Sequence, residues 1–180
     1  MLAELDTVTS AMASALIALA RDLHLRRRLV ADPEDVQVFV EEIVQPEPPA
    51  PVVPRVTTAE VTIGGVTLPE HSQVRLCLGA FNRGGPDEIS TDAVVMDGRV
   101  HRHWGFRGGP HRCLGSYLAR LELSLIITEW LRRVAGFHVA DGFAPPHFVR
   151  RRLHWPSRPL CWVGRDALIV PSLRVALSAG

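Results

Sequence analysis

The stretch Phe106-Arg107-Gly108-Gly109-Pro110-His111-Arg112-Cys113-Leu114-Gly115 sets a cysteine behind a glycine-rich loop, between basic residues, where a strongly apolar helical pattern begins. A helix N-terminus, neighbouring cations and loop N–H groups each favour thiolate over thiol. Cys113 therefore reads as a ligand or a nucleophile, whereas Cys77 and Cys161 read as small buried hydrophobes. Three chemistries compete. A phosphate-cradling cysteine loop needs an arginine six positions beyond the cysteine, and here Arg120 stands seven beyond it. A zinc site can draw on His101, His103, His111 and Cys113, which are plausible ligand types, but it uses neither the phenylalanine nor the glycines. A haem held by one axial thiolate needs a loop that lets the macrocycle approach the backbone and N–H groups aimed at the sulfur. The glycines and the helix start supply both.

Outward from this loop, residues 113–135 are apolar almost all round, which predicts a helix buried on most sides. Residues 80–112 form an irregular meander rich in Gly, Asp and His, longer than a compact domain tolerates without a functional reason. Residues 57–79 alternate apolar and polar around Gly64-Gly65 and again over 73–78, which predicts one small antiparallel sheet with a two-residue hairpin turn. Pro46, Pro48, Pro49, Pro51 and Pro54 favour an extended, stiff connector before it. Asp32-Pro33-Glu34-Asp35 has the cap, proline and acids of a helix start, placing a helix over 34–45. Leu5, Val8, Met12, Leu16, Leu19 and Leu23 recur in steps of three and four, one face of a single long helix over 1–29. That face needs a covering segment. Residues 136–180 read as short strands and loops, with Leu168-Ile169-Val170 as the best strand core. The fold class expected is mainly α with small antiparallel β-sheets, in one domain over 1–180.

Composition bounds the function. The 180 residues are 47% hydrophobic and 22% charged, so a packed core is within reach. A net charge of +1 gives no global field for nucleic acid or an anionic membrane. None of the 20 basic residues is lysine, so the chain has no Schiff-base amine. Three widely spaced cysteines are not a disulfide framework. Glu4 and Asp6 occupy what would be the basic region of a signal peptide, and no apolar run reaches the length of a membrane span. A cytoplasmic protein, with neither nucleic acid nor membrane as partner, is expected.

The pattern Phe106-x-x-Gly109-x-His111-x-Cys113-Leu114-Gly115 resembles the haem-binding signature of the cytochrome P450 superfamily of haem-thiolate monooxygenases. Other stretches match in the family's order. Ala3-Glu4-Leu5-Asp6-Thr7 resembles the oxygen-activating part of the long central helix, and Glu41-Glu42-Ile43-Val44-Gln45 resembles the Glu-x-x-Arg helix. Pro51-Val52-Val53-Pro54-Arg55 resembles the strand entry whose arginine meets a haem propionate, and Ala80-Phe81-Asn82-Arg83 the start of the meander. The resemblance implies the C-terminal part of that fold, cut at the central helix, with haem b as cofactor. It implies Cys113 as proximal iron ligand, Phe106 as shield of the sulfur, and Gly109 and Gly115 as the close-approach positions of the loop. His111 and Arg55 would pair with the propionates. Asp6 and Thr7 would form the acid–alcohol pair that delivers protons. It further implies a small apolar organic substrate and a ferredoxin-type redox partner, since no Gly-x-Gly-x-x-Gly nucleotide signature is present.

The chain departs from the family in named places. Its 180 residues leave out the family's N-terminal half, which would then count as a missing partner, and Glu4 stands where glycine is usual. Gln45 replaces the arginine of Glu-x-x-Arg, so Glu42 loses a bidentate partner. Ala93 stands where a meander arginine often completes that network, and Arg107 follows the phenylalanine where a small residue is usual. Two functions follow: a haem-thiolate monooxygenase portion with reduced competence by itself, or a non-catalytic haem- or zinc-binding module.

Overall fold

The computed structural model describes residues 2–82, 94, 96–98, 102–134, 136–139, 160–163, 166–169 and 175–177, with residues 2–5 and those from 160 onward described by backbone alone. Helix α1 (Leu2–Arg21) buries Ala11, Ala15 and Leu19, each four residues from the last, with Val8 and Met12 beside them. The buried stripe is thus centred on small residues that let neighbouring helices approach closely. The single helix expected over 1–29 is two. Asp22 takes an extended backbone and its Oδ1 accepts from the N–H groups of His24 (2.8 Å) and Leu25 (2.9 Å), capping α2 (Leu23–Ala31). The change of axis leaves Leu23 exposed while Leu25 and Leu29 enter the core.

Helix α3 (Asp35–Val44) starts after the turn made by Asp32 to Glu34 and buries Val36, Phe39, Val40, Ile43 and Val44. It is the most enclosed element, because α1, α2 and α5 (Ser116–Arg133) all pack on it or on one another around it. Helix α5 corrects a second expectation. Only Ser116, Leu123 and Ile127 are buried, while Tyr117, Leu118, Leu121, Leu125 and Ile126 are exposed. One stripe of α5 meets the other helices and its second apolar face meets none of them. The apolar surface expected on the first helix therefore lies on α5, at least among the described side chains.

The strands divide into three small sheets instead of one sheet over 57–79. Strands β2 (Val61–Ile63) and β3 (Val66–Leu68) form the expected hairpin, with Gly64 at φ 56° and Gly65 at φ 83°. Both turn residues need positive φ, which glycine adopts without strain. Strand β4 (Gln73–Cys77) instead pairs antiparallel with β1 (Val52–Val56), from Val52 opposite Cys77 to Val56 opposite Gln73. Alternation places Val53, Val74 and Leu76 on one face, with Val53 and Val74 buried, while Cys77 is buried on the other, and the missing N–H of Pro54 is tolerated because β1 is an edge strand. Helix α4 (Leu78–Asn82) follows β4 without a break. Near the C-terminus, β5 (Leu160–Val163) pairs with β6 (Asp166–Ile169), and β7 (Val175–Leu177) adds to the free edge of β4. Residues 83–93, 95 and 99–101 of the expected meander over 80–112 lie outside the described residues, as do the surroundings of Cys161. Among the described residues no helix is long and apolar enough to cross a membrane.

Candidate functional site

The cysteine loop is a chain of tight turns closed on itself. Arg107 N–H donates to Trp104 O (2.8 Å), a short 3-10 turn covers Gly109–His111, and Cys113 N–H donates to Phe106 O (2.9 Å). Gly109 sits at φ 56°, and Gly108 lies so close to the Trp104 ring that a Cβ would come within 2.6 Å of it. Arg107 adopts φ 61°, the left-handed region, without being glycine. Cys113 is not the first residue of the helix: a turn over residues 113–116, with Ser116 N–H donating to Cys113 O (3.3 Å), precedes α5.

Behind the loop lies a polar knot that ties three elements together. Glu41 on α3 accepts from Nε of Arg120 on α5, from Arg120 Nη2 (3.0 Å) and from Nε2 of His103 at the loop's start (2.7 Å). Gly105 N–H donates to Nδ1 of the same imidazole (3.0 Å), so Nδ1 carries the lone pair and Nε2 the proton. Burial works to raise the Glu41 carboxyl pKa, but the hydrogen bonds from His103 and Arg120 and the charge of Arg120 outweigh it and pull it down to about 2. The Arg120 guanidinium also lies over the Phe106 ring, 4.2 Å from its centroid, and donates to Ser116 O (3.2 Å). Gly105 is wedged against the end of α3, where a Cβ would stand 2.5 Å from Val44 Cγ1. Asn82 completes the attachment, donating from Nδ2 to Gln45 O (2.7 Å) and accepting from Trp104 N–H (2.7 Å).

The front of the loop is open. Cys113, His111 and Arg112 are exposed, Leu114 is 99% exposed, and a Cβ added at Gly109 or Gly115 would meet nothing within 4 Å. The structure thus gathers Phe106, Gly109, His111, Cys113 and Gly115 on one loop, with Phe106 half-buried at its back. Arg55 stands half-buried on β1 with Nη1 donating to Pro54 O (2.7 Å). Asp6 is exposed and Thr7 half-buried in the first turns of α1. The four-residue zinc set is not assembled: His103 is committed to Glu41, His101 lies outside the described residues, and no group of three potential metal ligands is found among the described ones. The reading of the sequence missed Glu41 and Arg120. It singled out Glu42 on α3 and Gln45 at the C-cap of that helix, both buried.

No protein-family model matches the chain. Cytochrome P450 130 of Mycobacterium tuberculosis is 34% identical over 160 residues, covering 85% of this chain and 39% of the relative. The biotin biosynthesis cytochrome P450 of Bacillus subtilis is 30% identical over 155 residues, covering 86% of this chain and 36% of that protein. The solved structure of P450BioI in complex with hexadec-9Z-enoic acid ligated acyl carrier protein superposes with a TM-score of 0.72 at 30% identity, over 78% of this chain and 37% of the other. The chain therefore spans a little over a third of the length of the relatives it matches.

Proposed function

Because the chain belongs to the cytochrome P450 family, whose C-terminal portion it matches, we propose that it holds haem through Cys113 and forms the haem-thiolate part of a monooxygenase. The single observation that carries this reading is the loop itself: Cys113 exposed, its N–H tied to Phe106 O, with bare glycines at positions 109 and 115. A soft sulfur donor flanked by two bare glycines suits a flat, iron-bearing macrocycle and would suit a small hard cation poorly. When bound, haem supplies the reductive activation of dioxygen, and thiolate ligation favours O–O cleavage.

The residues of the chain take their roles around that ligand. Cys113 offers an anionic sulfur, and Phe106 covers the inner side of the loop. His111 and Arg55 offer charge-assisted donors for the propionates. Gly109 and Gly115 keep the approach clear. Asp6 and Thr7 offer a carboxyl and a hydroxyl oxygen, the acid–alcohol pair that would pass protons on, on the helix that would face the opposite side of the haem. Oxidation of a small apolar substrate, with electrons from a ferredoxin-type protein, is the activity proposed for the whole fold of which this chain is a portion.

The test is the ferrous carbon-monoxide difference spectrum of the chain purified with added haem. A strongly red-shifted Soret band that disappears in Cys113→Ala is the expected result. Identical spectra from parent and variant would overturn the reading.

A further inference from the structure

We infer that Glu41, His103 and Arg120 are the positioning residues of the cysteine loop, fixing the backbone of Cys113 through Phe106 before any ligand arrives. The inference rests on the reading of Cys113 as the haem ligand and deepens it. Arg120 is the joint. Its fork holds both oxygens of Glu41 while its planar face lies 4.2 Å from the Phe106 centroid, so one side chain fixes the loop to α3 and α5 together. Phe106 in turn offers the carbonyl to which Cys113 N–H donates at 2.9 Å. The chain of contacts from Glu41 to the Cys113 amide has no gap.

His103 holds the other end. Gly105 N–H occupies Nδ1, so the imidazole is held as the tautomer that donates from Nε2 to Glu41. A loop amide thereby sets the proton position of the residue that anchors the loop. This knot also bears on the departure at Gln45. A glutamine offers no guanidinium fork, and the bidentate contact on α3 is made by Glu41 with Arg120.

The experiment compares the parent chain with Glu41→Gln and Arg120→Lys by two readouts. The first is amide hydrogen exchange at Cys113 and at Leu19 in the haem-free chain. The second is the carbon-monoxide difference spectrum after haem addition. Glu41→Gln is expected to speed exchange at Cys113 on the order of tenfold or more, since charge-assisted anchors of the loop are lost. Exchange at Leu19, in the helical core, should stay unchanged. In the spectrum the same variant should move intensity from the thiolate-type band to a blue-shifted, thiol-type band. Arg120→Lys should do both to a smaller extent, because lysine keeps the charge without the fork. Unchanged exchange at Cys113 in both variants would overturn the inference. If Glu41→Gln loses protection at Leu19 as well, it has unfolded and Arg120→Lys decides alone. A parent chain with no thiolate-type band would overturn the haem reading, and the exchange result would still decide whether the knot fixes Cys113.

Discussion

The two sides of the cysteine loop are built on opposite plans. On the inner side the knot is closed: the Glu41 carboxylate takes three hydrogen bonds, the His103 imidazole uses both nitrogens, and Gly105 leaves no room for a methyl group. On the outer side Cys113 and Leu114 stand exposed and Gly109 and Gly115 face open space. A loop fixed so fully from behind and left bare in front is organised before its ligand arrives, so binding need not spend free energy on ordering it. Helix α5 repeats the contrast, with Leu123 and Ile127 in the core and Leu121 and Leu125 outside.

The largest effect expected from breaking this contrast is on the inner side. Glu41→Leu strands the His103 Nε2–H and half-buried Arg120, and a loss of about 3 kcal/mol is expected, the lower end for a broken buried pair because Arg120 can reach water. Urea unfolding of the haem-free chain measures it; a loss below about 1 kcal/mol would mean the knot is only a surface-strength ion pair. Acid gives the next effect. The Glu41 carboxyl sits at about 2 in the folded chain against an ordinary 4.5, so its stabilisation is present in full above 4.5 and is lost as pH falls toward 2. The stability gap between the parent and Glu41→Gln should therefore narrow by roughly 2–3 kcal/mol over that window. A gap independent of pH would place the Glu41 carboxyl at its ordinary value.

The glycines set the two sides directly against each other. Gly105→Ala places a methyl 2.5 Å from Val44 Cγ1 and 2.8 Å from Val44 O, an overpacking that should cost about 2 kcal/mol in the haem-free chain. Gly115→Ala meets nothing within 4 Å and has an ordinary negative φ of −78°, so it should leave that stability within about 0.5 kcal/mol. Its effect should be confined to haem retention, measured as the rate of haem transfer to an acceptor protein. Equal costs for the two substitutions in the haem-free chain would erase the distinction between the sides.

The front of this loop was far more legible in the sequence than its back. Cys113, His111 and the glycines are close neighbours in the chain, so their chemistry could be read within ten positions, and the α3 pattern and the Gly64-Gly65 turn are equally local. The knot joins residues 62 and 79 positions apart, a separation that no periodicity encodes. Nothing local in the sequence distinguishes Glu41, which makes this pair, from the Glu42 beside it. The partner of β4 was hidden for the same reason, since β1 lies across the intervening hairpin and β7 lies about a hundred residues on. The break at Asp22 was local but masked, because leucines at 19, 23, 25 and 29 keep a helical rhythm through a residue whose side chain restarts the helix. For α5, composition gave apolar residues without saying which of them other parts of the chain would cover.

The smallest prediction concerns the one residue of the loop that belongs to neither side. Arg107 is exposed, and its N–H bond to Trp104 O holds the turn in the left-handed region at φ 61°. An L-residue there carries about 1–2 kcal/mol of strain, which glycine would not. Against that, Arg107→Gly gives the unfolded chain more freedom, worth roughly 0.4–1 kcal/mol in the opposite direction. Relief of the strain outweighs that added freedom, so Arg107→Gly should stabilise the haem-free chain by about 0.5–1 kcal/mol, a rise in Tm of roughly 2 °C for a chain of this size. A fall in Tm would mean that the guanidinium, although exposed, makes a contact that outweighs the strain of its own backbone. In that case the bulky cation after Phe106 would be part of the anchoring, and the boundary between the closed and open sides would move one residue toward Cys113.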